Sequence, residues 1–397
     1  MRFRHGSGED VHLGYCTNVH PAEDLLGILD QLDTYAVPVR EQLAVDRLGV
    51  GLWLAQPVAA ALAGDPGATL RLRTELGLRG LEVVTLNGFP YQGFHQPVVK
   101  HAVYRPDWSS RLRLEYTVDL ARVLALLLPD DVTTGSISTL PFGWRADWTA
   151  DRHVRSLRHL EELGRGLKGI RHGSGRTIRV ALEPEPGCVV ETTGEAADHL
   201  SHLDPDHFGI CLDVCHLAVA FEDPHEALRK LDRAGVSIVK AQLSCALHAE
   251  RPADPDVLQA LAAFTEPRFL HQTRRAGAPP TGVDDLSQAL ASPLAMNRDA
   301  PWRSHFHVPL HADPEPPLTS TRPVLRQALA ALLAADRPGT THLDVETYTW
   351  SVLPTPPRTA RELAAGIAAE LDWTRRELLT LGLTEQAPPS TVKRSSP

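Results

Sequence analysis

The strongest constraint on the fold is a repeated punctuation. Eight short apolar runs, rich in β-branched residues, each stop at small or polar residues, and stretches with helical spacing lie between them. The runs are "VHLGYCTN" (11–18), "GVGLWLA" (49–55), "LEVVTLNGF" (81–89), "VTTGSIST" (132–139), "TIRVALEPEPG" (177–187), "HFGICLDVCH" (207–216), "VSIVKAQLS" (236–244) and "THLDVETYTW" (341–350). Their apolar cores are too short for helices and read as strands. Between them, Asp151–Arg171 carries Val154, Leu157, Leu160, Leu163, Leu167 and Ile170 at spacings of three or four, which is one helix face. Glu115–Leu128, Thr193–Leu203, Pro224–Ala234, Pro323–Ala335 and Thr359–Leu381 read the same way. Strands alternating with helices pair in parallel, because a parallel connection needs a crossover. The expected fold is α/β, a (β/α)8 TIM barrel. An open doubly wound sheet is the rival, but "GYCTNVHP" after the first strand is not a Gly-rich phosphate loop.

A hundred residues or so, about 245–340, separate the seventh and eighth strands, far more than one crossover helix needs. The segment holds the apolar pieces "RFLHQT" (268–273) and "SHFHVPLH" (304–311) and is expected to be an insertion over the barrel mouth. Residues 1–383 then form one barrel domain, and the polar, Pro-rich 384–397 a mobile tail.

The formal charge of −9, with basic residues scattered, argues against a partner held through phosphates. The five cysteines form no CxxC pair, and the odd count suggests no disulfide framework, so a reducing cytoplasm is expected. "MRFRHGSGED" has no apolar signal core, and no apolar run approaches the ~20 residues of a membrane span. Self-association is left open.

Active sites of such barrels lie at the carboxyl ends of the strands. There the fifth strand places Glu183 and Glu185, the sixth Asp213 and then His216, the seventh Gln242 and Ser244, the eighth Glu346, the first Asn18 and His20, and the third Asn87. Each has an ordinary alternative. Glu183 could pair with an arginine, Asp213 could cap a helix, Glu346 could be an exposed strand residue, and His216 could be a hydrogen-bonded core histidine. Taken together, three carboxylates converging on one rim repel one another, and a divalent cation is the simplest way to neutralise them; Mn²⁺, Mg²⁺ and Zn²⁺ all suit the donors. In the insertion, alternation puts His305 and His307 on one face. That face is either the polar, solvent side of a hairpin, or His271 and His307 face the metal cleft as further ligands or substrate contacts.

"ALEPEPG", "CLDVCH" and the late "VET" resemble the xylose-isomerase-like TIM barrels, the superfamily of sugar phosphate isomerases and epimerases. "LDVCH" also resembles the type-IV apurinic endonuclease branch. A narrower likeness runs over nearly the whole chain. "HLGYCTNVHP", "TLNGFPYQGFH", "VKHAVYRPDW", "LEPEPGC", "HFHVPL" and "VETYTWSVLP" resemble the EboE-type metabolite-traffic proteins. The superfamily pattern implies a metal held by Glu183, Asp213 and Glu346, with a histidine from the seventh strand as a further ligand. Here that position is Gln242, so Gln242 serves, or His271 or His307 replaces it, or the site is lost. The resemblance also implies that Glu183 and Glu346 move protons beside a carbonyl and that His216 touches substrate oxygens. His20, Asn87, Glu185 and His271 are read as further substrate contacts.

The function expected is that of a metal-dependent sugar or cyclitol isomerase or epimerase: one carboxylate removes a proton beside a carbonyl, the metal stabilises the enediolate, and the other carboxylate returns the proton. The alternative is a binding or traffic protein on the same barrel, handling a small polyhydroxylated or prenylated metabolite without turnover. An apurinic-endonuclease-like phosphodiesterase ranks last, because the strand-seven histidine is missing and the chain is acidic. No nucleic-acid partner is expected.

Overall fold

The computed structural model describes residues 1–291 and 296–386. Eight strands build the barrel: β1 (Asp10–Cys16), β2 (Leu48–Trp53), β3 (Thr85–Asn87, preceded by the short piece Leu81–Glu82), β4 (Thr134–Thr139), β5 (Thr177–Leu182), β6 (Phe208–Asp213), β7 (Ile238–Leu243) and β8 (His342–Val345). All pair in parallel in that order, and β1 closes the ring by pairing with both β8 and β2. Each of the eight apolar runs coincides with one of these strands, although β1 and β2 begin one residue before theirs. The helices read from apolar spacing are present as Arg111–Leu127, Ala150–Ser174, Thr193–Leu200, Pro224–Arg233, Arg322–Leu333 and Ala360–Thr380.

Alternation along the strands explains the layering. Ile178, Val180 and Leu182 of β5 join the main apolar core, which also takes Leu160, Leu163 and Leu167 of the Ala150–Ser174 helix. The opposite face of the sheet lines the inside of the barrel, and much of it is polar. Lys240 on β7 and Asp344 on β8 form a fully buried ion pair (Nζ to Oδ2, 3.2 Å). His342 Nδ1 meets Ser136 Oγ at 2.8 Å. Asp344 fits because β2 carries Gly51, where an added Cβ would collide with its carboxylate. Asp344 is in register with Gln242 and stands two residues before Glu346 on the chain.

Between β7 and β8 stands a five-stranded antiparallel sheet, in the order Thr281–Val283, Thr273–Arg275, Trp302–Ser304, Leu247–Ala249 and Thr319–Ser320. The expected tail begins as a strand, Thr384–Glu385, paired with Arg2–Arg4; residues 387–397 lie outside the described residues. No helix among the described residues is long and apolar enough to cross a membrane. The five cysteines are buried and free.

Candidate functional site

β5 ends at Leu182 and delivers Glu183 to the rim, β6 ends on Asp213, and β8 ends at Val345 and delivers Glu346. The three carboxylates are buried, and their ligand oxygens all lie within 4.8 Å of one another. Among the described residues no arginine or lysine forms an ion pair with any of them; the nearby basic groups are the imidazoles of His216 and His307. Asp213 does cap the short helix Val214–Val219. Its Oδ1 accepts from the His216 amide (3.0 Å) and from Ser244 Oγ (2.8 Å), while Oδ2 is buried without a partner. The cap therefore occupies one oxygen and leaves the other for the site.

Three donors surround Glu346. Asn18 Nδ2 (2.7 Å) and Asn87 Nδ2 (3.0 Å) reach Oε1, and Gln242 Nε2 reaches Oε2. The other end of the Gln242 amide accepts from Cys211 Sγ at 2.7 Å. Gln242 thus faces Glu346 as a donor, with its amide oxygen turned to Cys211.

The histidines come from two places. His216 follows β6, and its Nδ1–H donates to Pro184 O (2.8 Å). His305 and His307 come from the insertion, just beyond the Trp302–Ser304 strand, and both are buried, so neither is on a solvent face. His305 Nδ1–H donates to Gln272 Oε1 and His307 Nδ1–H to the backbone oxygen of Glu346, at 2.8 and 2.7 Å. A ring nitrogen that donates to an oxygen fixes the tautomer of a neutral imidazole, so the Nε2 atoms of His305 and His307 point into the site as acceptors. His307 Nε2 has no partner, and neither has Glu183 Oε2. His216 Nε2 lies 3.0 Å from Glu185 Oε2 and 3.1 Å from His305 Nε2. Two imidazole lone pairs do not face each other at that distance without a proton or cation, so His216 Nε2 carries a proton here.

The titration behaviour agrees. Burial and the neighbouring Glu346 hold the Glu183 carboxyl well above its ordinary range, against the opposing pull of His216. Burial and Asp213 push Glu346 up to about 8. Burial alone would lower His216, yet Asp213, Glu185 and Glu183 hold it well above an ordinary imidazole. His305 is driven well below by burial and by His216.

Other expected contacts lie elsewhere. His271 does not face the cleft: its Nδ1 donates to His305 O and its Nε2 meets Glu266, both at 2.8 Å, so it braces the loop that carries His305. His20 stacks on Tyr35 and meets Tyr15 OH, away from the cavity over the carboxylates. Asn87 and Glu185 do line that cavity. Several neighbours escaped the sequence. The sequence pattern assigns His305 no role of its own, and Tyr104 and Gln272, which bond Glu185 and each other, come from a short 3-10 turn and an irregular segment with no periodic signal.

The model of one protein family, described as xylose isomerase-like TIM barrel, matches residues 56–251. No curated protein sequence matches the chain. Among solved structures, a xylose isomerase domain protein from Alicyclobacillus acidocaldarius is 14% identical and covers 93% of this chain and 99% of its own, with a TM-score of 0.48. A D-psicose 3-epimerase, solved with D-tagatose, from Clostridium cellulolyticum is 15% identical over 58% of this chain and 72% of its own, TM-score 0.39. An IolI protein with a binding zinc atom is 14% identical over 59% and 73%, TM-score 0.38. With its closed ring of eight parallel strands and the family match across β3 to β7, the chain has the xylose isomerase-like TIM barrel fold.

Proposed function

We propose that this protein is a divalent-metal-dependent isomerase or epimerase of the EboE type, acting on a small hydroxy-carbonyl compound of the sugar or cyclitol kind. One observation carries the reading: Glu183 Oε2, Asp213 Oδ2 and His307 Nε2 are all buried, all able to ligate, and all without a partner. Buried polar atoms are rarely left so unless something absent from the protein chain satisfies them. Glu183, Asp213, Glu346 and His307 would hold the ion. His307 takes the place that Gln242 leaves, and Gln242 positions Glu346. A mixed oxygen and imidazole set suits Mn²⁺, Mg²⁺ or Zn²⁺.

A bound divalent ion would polarise a substrate carbonyl and favour negative charge on its oxygen. The protein residues do the rest. Glu183 and Glu346 stand close enough to serve the same carbon, one accepting a proton beside the carbonyl and the other returning it. Protonated His216, held by Pro184 and Glu185, places a positive charge beside the carboxylates where a substrate oxygen gains negative charge. Free thiols suit a reducing cytoplasm.

The test is exchange of solvent deuterium into ketoses and keto-cyclitols by Mn²⁺-loaded protein. Exchange that is lost in Glu183→Gln supports the enzyme. Binding of a sugar by the metal-loaded protein with no exchange across the panel would overturn turnover and leave a binding or traffic protein.

A further inference from the structure

The cavity over the carboxylates has two unlike halves. Its floor is polar, with Glu183, Glu346, Asn18, Asn87, Glu185 and His216. Its wall is apolar: Phe89, Phe94, Val99 and Val103 from the segment after β3, and Phe269 and Leu270 from the insertion. Phe94, Val99, Phe269 and Tyr348 also belong, with Trp53 and Ala55, to a hydrophobic cluster separate from the main core. Its rings touch at centroid distances of 5.2 Å (Phe94–Phe269), 5.5 Å (Phe94–Tyr348) and 4.9 Å (Phe269–Tyr348). These are packing distances for tilted aromatic pairs.

The polar groups that could interrupt this wall are already engaged. Lys100 Nζ binds Phe269 O (2.7 Å), Glu266 O (3.3 Å) and Asp285 Oδ2 (2.5 Å). Tyr104 OH donates to Glu185, and Tyr348 OH lies 3.3 Å from His305 Nε2. Among the described residues, the unpartnered polar atoms that line the cavity, Asn18 Oδ1 and Glu183 Oε2, are both on the floor. A ligand with hydroxyls along its whole length would lose water against the wall and find no replacement, which costs affinity at every hydroxyl. A ligand with one polar end would lose nothing there and gain by burying its apolar surface.

We infer that the natural ligand is amphipathic: a short hydroxy-carbonyl head on the carboxylate floor and an apolar body, aryl or alkyl, against the wall of Phe89, Phe94, Val99, Phe269 and Leu270. The head rests on the function proposed above. The body rests on the wall alone.

Two ketones with the same head separate the claims: 2-hydroxyacetophenone, which carries a phenyl body, and dihydroxyacetone, which carries a second hydroxymethyl group. Dissociation constants for both are measured on the full chain, with and without Mn²⁺, together with deuterium exchange at the hydroxymethyl carbon. The expected result is tighter binding of the aryl ketone by about tenfold or more, the scale of burying one ring. Val99→Thr places a hydroxyl on the wall at nearly constant size, and a matched far-ultraviolet spectrum and melting point show that it folds. It should bring the ratio of the two constants toward one. Equal binding of the two ketones, or tighter binding of dihydroxyacetone, would overturn the apolar body, even if exchange proves the chemistry. A strong aryl preference without exchange would instead sink the proton-transfer reading and leave the amphipathic ligand standing. Failure of both ketones to bind at millimolar concentration would overturn both.

Discussion

His307 donates its Nδ1–H to the backbone oxygen of Glu346, and this turns its Nε2 to within 4.0 Å of Asp213 Oδ2. An insertion residue is thereby locked to the last strand's catalytic candidate and aimed at the sixth strand's carboxylate. Neither Nε2 nor Oδ2 has another partner. His307→Ala should therefore remove most of the affinity for Mn²⁺. Gln242→Leu should keep the ion but lose activity on the order of 10–100-fold, as expected of a group that only orients a ligand. Metal content after dialysis, beside the turnover rate, distinguishes them; metal lost from Gln242→Leu and kept in His307→Ala would reverse the assignment.

The crowding of Glu183, Asp213 and Glu346 makes the metal-free and metal-loaded proteins differ in stability. Saturating Mn²⁺ should raise the melting temperature of the native protein, by the equivalent of about 3 kcal/mol at a hundredfold excess over the dissociation constant. Glu183→Gln and Asp213→Asn keep the shape of the site but cannot supply an anionic ligand, so each should melt no lower than metal-free native protein and gain little from Mn²⁺. Calorimetry with and without chelator reads both effects. Full stabilisation by Mn²⁺ in both variants would contradict the ligand set.

Metal uptake should release protons. Glu346 ionises only near about 8 in the metal-free site, and Glu183 is held well above its ordinary range, so a cation must displace protons at neutral pH. The apparent Mn²⁺ affinity should weaken as pH falls below 8, by about tenfold per pH unit for each proton displaced. Titration calorimetry in buffers of different ionisation enthalpy counts those protons. A pH-independent affinity would mean that the carboxylates are already ionised without the metal.

A second buried carboxyl braces the site from outside. Glu370, on the Ala360–Thr380 helix, accepts from Thr347 Oγ1 (2.6 Å), the Leu310 amide (3.1 Å) and Trp350 Nε1 (3.2 Å), and so ties the residues after Glu346 to the insertion. Burial raises its carboxyl to about 7 from an ordinary 4.5, against the pull of those donors. Between pH 4.5 and 7 the folded protein keeps a proton that the unfolded chain has released. Stability therefore falls as pH rises through that window, by at most about 3 kcal/mol from this group. Glu370→Gln keeps an acceptor without the charge, so its melting temperature should fall less between pH 5 and 7 than that of the native protein. Parallel melting curves would contradict the shift.

Removing one partner of the Lys240–Asp344 pair leaves a charge stranded inside the barrel. Lys240→Met should cost about 3–5 kcal/mol, read by denaturant unfolding. Gly51→Ala should be costly for the same reason, since its methyl group would enter the space of the Asp344 carboxylate. A loss within error for Lys240→Met would show that the pair is not held as the structure places it.

How much of this was legible follows from what sequence periodicity encodes. Strand identity and order were readable because buried parallel strands are short, apolar and regularly interrupted. Their ends brought Glu183, Asp213 and Glu346 to one rim, because every strand of such a barrel points its carboxyl end the same way. Orientation off the strands was not readable. His271 and His305 lie in the same insertion, yet one braces a loop and the other faces His216, and the difference is set by tertiary partners, Glu266 and Gln272, that no local pattern announces. His305 and His307 do point to the same site, although the strand that would have made them alternate ends at Ser304. The Gln242 amide could serve as ligand or donor by its chemistry alone, and Cys211, one strand away, decides which end faces Glu346.

The most direct measurement is anomalous diffraction at the manganese edge from crystals grown with Mn²⁺. A single peak bounded by Glu183, Asp213, Glu346 and His307, at ligand distances near 2.0–2.3 Å, is the expected result. Well-ordered carboxylates with no anomalous peak among them, or a peak elsewhere in the barrel, would contradict the claim that a cation gathers them.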